Sequence, residues 1–66
     1  MTEQNHTFKQ QIETVRREIG FRERFYPVWV KNGKMTQEKA DYEIACMRSV
    51  LHTLATLNRQ YEEATK

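Results

Sequence analysis

Lys31-Asn32-Gly33-Lys34-Met35-Thr36-Gln37-Glu38 is the stretch whose reading decides the fold. Asn32-Gly33 is a helix-ending pair, with Gly33 free to take the left-handed conformation that closes a helix C-terminus. Thr36 follows as an N-cap, because its hydroxyl can accept one of the orphan amides of a new helix. Glu38 falls in the first turn, where the helix dipole favours an anion. Met35, just before the cap, is placed to pack on Ala40 as a hydrophobic staple. Two helices joined by so short a turn run antiparallel. The expectation is one all-α domain over residues 1–66: helix 1 at about 7–31, a turn at 32–35 and helix 2 at about 36–62, folded as an antiparallel two-helix hairpin.

Upstream of the turn, Thr7 stands three residues before Gln10, the spacing of a capping box. Phe8, Ile12, Val15, Ile19, Tyr26 and Trp29 then recur at alternating steps of four and three, with Arg22 in the one polar slot. This is the seam of a coiled-coil-like helix. Pro27 interrupts it. A proline there removes one hydrogen bond and crowds the carbonyl of Glu23. A Pro-kinked helix is expected rather than a broken one, since the seam continues to Trp29.

Downstream, Ala40, Ile44, Met47, Leu51, Leu54, Asn58 and Tyr61 repeat the same spacing, with no glycine or proline after Gly33. The two seams fix a register in which facing residue numbers sum to about 70. Tyr26 should face Ile44, Ile19 face Leu51, Val15 face Leu54 and Phe8 face Tyr61. Arg22 should lie beside Met47, and Ile12 beside Asn58.

A second set of apolar residues lies off the seam: Phe21, Phe25 and Val28 on helix 1, Val50 and Leu57 on helix 2. One hairpin cannot bury both sets, and burying one such side chain is worth roughly 1.5–3 kcal/mol. A second copy would cover the spare stripe, giving a homodimeric helical bundle. Val28, Val50 and Leu57 are the expected self-association residues. Arg22 joins them if it pairs with an acid across the interface, and Asn58 is a candidate register device.

Composition bounds the function. A 66-residue chain buries a small fraction of its surface and is marginal alone. Its single cysteine, Cys46, rules out an internal disulfide and fits a reducing compartment. No stretch reads as a signal peptide or a membrane span. The expected setting is therefore intracellular and soluble, with no membrane partner. The net charge is +2, but residues 1–34 hold seven Lys/Arg against four Asp/Glu, and residues 35–66 four against five. That basic excess in the first half is small for nucleic-acid binding, which needs several phosphates neutralised together.

No metal site, cofactor or catalytic residue is expected. Cys46 and His52 stand six apart, on different helix faces, and His6 lies near the N-terminus. Cys46 is expected to be a partly buried, inert thiol. Arg16, Arg17, Arg22 and Arg24 interleave with Phe21, Phe25 and Tyr26. Three readings fit that run: a solvated face neutralised by Glu13–Arg17 and Glu18–Arg22 pairs, a protein-binding surface, or a single-strand nucleic-acid surface. Phe21, Arg24, Phe25 and Trp29 are the candidate partner-binding residues, with Trp29 also placed to close the hairpin tip over Ala40.

The run Tyr26-Pro27-Val28-Trp29-Val30, then Gly33-Lys34-Met35-Thr36, Ala40-Asp41, Ile44-Ala45 and Met47, resembles small helical proteins of temperate phages and prophages. In size and style the chain is also similar to the accessory proteins encoded between the exonuclease and excisionase genes of lambdoid phages. The likeness covers roughly residues 18–55. It implies an early, non-enzymatic accessory or regulatory protein in the host cytoplasm. Such a protein would act through protein–protein contacts on host physiology or on the choice between lysis and lysogeny. It carries no catalytic or cofactor residue onto this chain. A nucleic-acid-binding accessory factor using the basic first helix is the alternative.

Overall fold

A computed structural model describes residues 6–65, which form two α-helices, α1 (Phe8–Lys31) and α2 (Gln37–Ala64), packed against each other. The architecture is the all-α helical hairpin that the turn sequence implies. Residues 1–5 and Lys66 lie outside the described residues.

Local chemistry sets each boundary. Thr7 caps α1: its hydroxyl accepts from the Gln10 amide at 3.0 Å, and the Gln10 side chain accepts from the Thr7 amide at 3.0 Å. This reciprocal pair satisfies two donors that a helix start otherwise leaves to water. Thr36 caps α2, accepting from the Lys39 amide at 3.1 Å. Glu38 occupies the first turn of α2.

The turn is a Schellman motif. The Gly33 amide donates to the carbonyl of Val30 at 3.1 Å, and the Lys34 amide to that of Trp29 at 2.8 Å. Gly33 sits at φ 75°, the left-handed region that side chains resist. Ala40 is buried and Met35 half-buried at the base of α2, as a staple requires.

α1 runs through Pro27 to Lys31 without ending there. The turns on either side, and the packing of Tyr26 and Trp29, hold the helix across the missing amide. α2 extends two residues past the expected end, because Glu62-Glu63-Ala64 contains nothing to stop it. The Thr65 amide and hydroxyl close it on the carbonyls of Tyr61 and Glu62.

The predicted register appears at both halves of the hairpin. Phe8 meets Tyr61 edge to face, with ring centroids 6.0 Å apart. Glu23 pairs with Arg48 across the helices nearer the tip. Ile12 and Asn58 line one shallow depression together, beside Lys9, Arg16 and Ala55. Ile19, Tyr26 and Ala40 form the buried core among the described residues. The remaining seam residues, from Val15 to Leu54, are half-buried. So thin a core is what two helices alone can make.

Candidate functional site

The outward part of α1 carries an aromatic row. Phe21 and Phe25, one turn apart, pack with centroids 4.7 Å apart. Phe21 and Trp29 meet edge to face with centroids 6.2 Å apart, and Trp29 packs on Tyr26 at 5.4 Å. The row runs from exposed Phe21 through half-buried Phe25 and Trp29 to buried Tyr26. Trp29 therefore belongs to the hairpin's aromatic packing while still offering an edge to solvent.

Arg17, Gly20, Phe21, Arg24 and Phe25 line a shallow depression on the same side of α1. Their steps of three and four are the spacing of neighbours on a helix surface. Gly20 forms its floor, and a Cβ placed there would meet nothing within 4 Å. The expected Glu13–Arg17 pair does not form; Arg17 leans on the Thr14 hydroxyl at 3.5 Å instead. Arg16, Arg17 and Arg24 have no carboxylate within ion-pair distance among the described residues. The fully self-neutralised face is thus realised only at Arg22.

Arg22 is the centre of a polar network that spans both helices. Its Nε donates to Glu18 at 2.9 Å, and its Nη1 donates to both the carbonyl (3.1 Å) and the carboxylate (3.3 Å) of Glu43. Lys39 completes the cluster, 3.6 Å from Glu43. The Glu18 hydrogen bond, ahead of the other nearby groups, raises the Arg22 pKa above its already high ordinary value, against a smaller lowering by burial. Arg22 stays cationic at any working pH. The guanidinium also lies 5.8 Å from the centre of the Tyr26 ring. The acids that hold Arg22 come from its own chain, so an intermolecular ion pair is not needed to satisfy it. The seam position expected beside Met47 sends its head group one turn further toward the hairpin tip.

Four of the five off-seam apolar residues are exposed as expected, Phe21 at 45%, Val28 at 48%, Val50 at 39% and Leu57 at 42%, while Phe25 is half-buried. The structure adds Tyr42, exposed at 68%, which sequence reading missed. The signal was present, since Tyr42, Cys46 and Val50 repeat every four residues along α2. Cys46 is exposed, not partly buried. It stands off the seam, and α1 is too narrow to reach over it.

Helical geometry puts these residues on one side. At 3.6 residues per turn, Phe21, Phe25 and Val28 lie on one flank of the α1 seam. Cys46, Val50 and Leu57 lie on the corresponding flank of α2, with the more exposed Tyr42 at its outer margin. In an antiparallel pair these two flanks belong to the same broad face. The register sets Val28 level with Tyr42, Phe25 with Cys46 and Phe21 with Val50. The Glu23–Arg48 pair and the depression holding Ile12, Ala55 and Asn58 lie on the opposite face.

Among the described residues no three His, Cys, Asp or Glu side chains gather in a way that could hold a metal ion. None of the described helices is long and apolar enough to cross a membrane. Fold and surface together define a helical hairpin with an apolar broad face and a basic, aromatic-edged outer ridge. The chain matches no protein-family model, no curated protein and no solved structure.

Proposed function

We propose that this protein is a non-enzymatic interaction module, an early accessory or regulatory protein of a temperate phage. It acts in the host cytoplasm by binding a host protein. The phage setting rests on the Tyr26–Met47 resemblance. The mode of action rests on one observation above others: the packed Phe21–Phe25 pair stands beside Arg17 and Arg24, two cations without carboxylate partners, over the open floor at Gly20. Exposed aromatics beside unpaired arginine are the composition of protein-binding hot spots. The contact residues are Phe21, Arg24, Phe25 and the free edge of Trp29, and the complementary surface is acidic with an apolar centre.

The test is capture of a host protein by the immobilised full chain, repeated with Phe25→Ala and Arg24→Ala. Loss of the captured protein with both variants supports the reading. Equal retention by both would move the site elsewhere.

A nucleic-acid-binding role is the second reading, favoured by Arg17 and Arg24 on the outward side of α1 and by Arg16 beside the groove between the helices, none with a carboxylate partner among the described residues. It predicts binding to single-stranded or duplex DNA that weakens steeply with salt. The absence of any mobility shift at low salt would remove it.

A further inference from the structure

The broad face that carries Phe21, Val28, Tyr42, Val50 and Leu57 borders the basic ridge of α1 along Phe21 and Phe25, and beyond that edge it has its own chemistry. We propose that this face is the contact surface for a second copy of the chain, giving a twofold four-helix bundle in which the opposite, Glu23–Arg48 face stays in water.

Three observations carry this. The first is area. From their fractional exposures, the five side chains leave on the order of 400 Å² of apolar surface in contact with water. A standard interface takes about 800 Å² from each partner, a little over half of it apolar. The face supplies the apolar share of one such side.

The second is charge. The ionised groups within this face are Glu18, Arg22, Glu43 and Lys39, and they are paired with one another. Two acids balance two bases. The face therefore meets an identical face without bringing unpaired like charges together, as a twofold contact requires. A strongly charged partner finds no complement here, whereas Arg17 and Arg24, which have no carboxylate within ion-pair distance among the described residues, lie on the ridge.

The third is the depth of the core. Only Ile19, Tyr26 and Ala40 are buried among the described residues. Cys46 and Thr53, beside Val50 and Leu57 on α2, are small, exposed side chains that would let an opposing helix approach closely.

Sedimentation equilibrium of the full chain tests the proposal. From micromolar to hundreds of micromolar concentration, the mass should rise to twice the 8.0 kDa of one chain. The double substitution Val50→Glu and Leu57→Glu should return it to one chain with helical circular dichroism retained. A single-chain mass for the native protein throughout that range would overturn the proposal, and so would a double variant that pairs as tightly as the native chain. Should the double variant fail to fold, Cys46 of the native chain provides an independent reading. Its alkylation should slow by several-fold as concentration rises through the pairing range. A rate independent of concentration would overturn the proposal. The outcome is separable from the host-protein reading, because Arg24→Ala should leave the doubled mass unchanged.

Discussion

Arg22 reaches across the hairpin to Glu43 and holds it twice, at the backbone carbonyl and at the carboxylate, while its own helix supplies Glu18. A seam position given to a cation would be a defect in a purely apolar core. Here the side chain is only 18% exposed, and its donors are spent on groups at the edge of the seam. The pair links the two helices at one height, so it fixes register as well as adding stability.

That linkage predicts a measurable coupling. Arg22→Ala should lower unfolding free energy by about 1–2 kcal/mol, the scale of hydrogen bonds to charged groups less the part that solvent screens. A double-mutant cycle with Glu43→Ala should return a coupling of about 0.5–1 kcal/mol. Urea unfolding at one fixed protein concentration makes the measurement. Strict additivity would show that the two residues do not act on each other.

The two glycines predict opposite effects of one substitution. Gly33→Ala forces a side chain into the left-handed region and should cost about 1–2 kcal/mol. Gly20→Ala places a methyl in open space inside a helix and should stabilise the free chain by up to about 1 kcal/mol. The same change should weaken capture of a host protein if a partner sits on the Gly20 floor. Thermal melts of both variants, paired with the capture assay, read out all three effects.

Ile19 and Val50 separate the core from the broad face. Ile19→Ala opens the seam at a buried site and should cost about 2–4 kcal/mol at every concentration. Val50→Ala removes little packing from a single hairpin. Its cost should grow with protein concentration, because it weakens association rather than the fold. Denaturation at two widely separated concentrations distinguishes the two behaviours.

The turn and the caps were legible in the sequence because their chemistry is local. Thr7 with Gln10, Thr36 with the Lys39 amide, and Gly33 after Asn32 each act within a few residues. The register was legible because two heptad seams joined by a short turn leave one alignment, and Phe8 with Tyr61 bears it out. What the sequence did not disclose depends on reach and on third dimensions. The acid that meets Arg22 is Glu43, set by the length of the guanidinium arm rather than by seam spacing. Arg17 leans on Thr14 rather than Glu13, a choice between two neighbours on the same helix. The exposure of Cys46 and Tyr42 follows from how little of α2 a single facing helix covers. The candidate site was legible as a set of residues. Its division into a basic ridge and a charge-balanced face needed the helices placed side by side.

The most direct test of that division is a mixed sample in which half of the chains carry labelled methyl groups and half are unlabelled, read for intermolecular contacts by nuclear Overhauser spectroscopy. Contacts are expected from the Val28, Val50 and Leu57 methyls of one chain to Phe21 and Tyr42 of another, and none from Ile12 or Ala55. Intermolecular contacts centred on Ile12 and Ala55, or no intermolecular contact at a concentration of hundreds of micromolar, would contradict it.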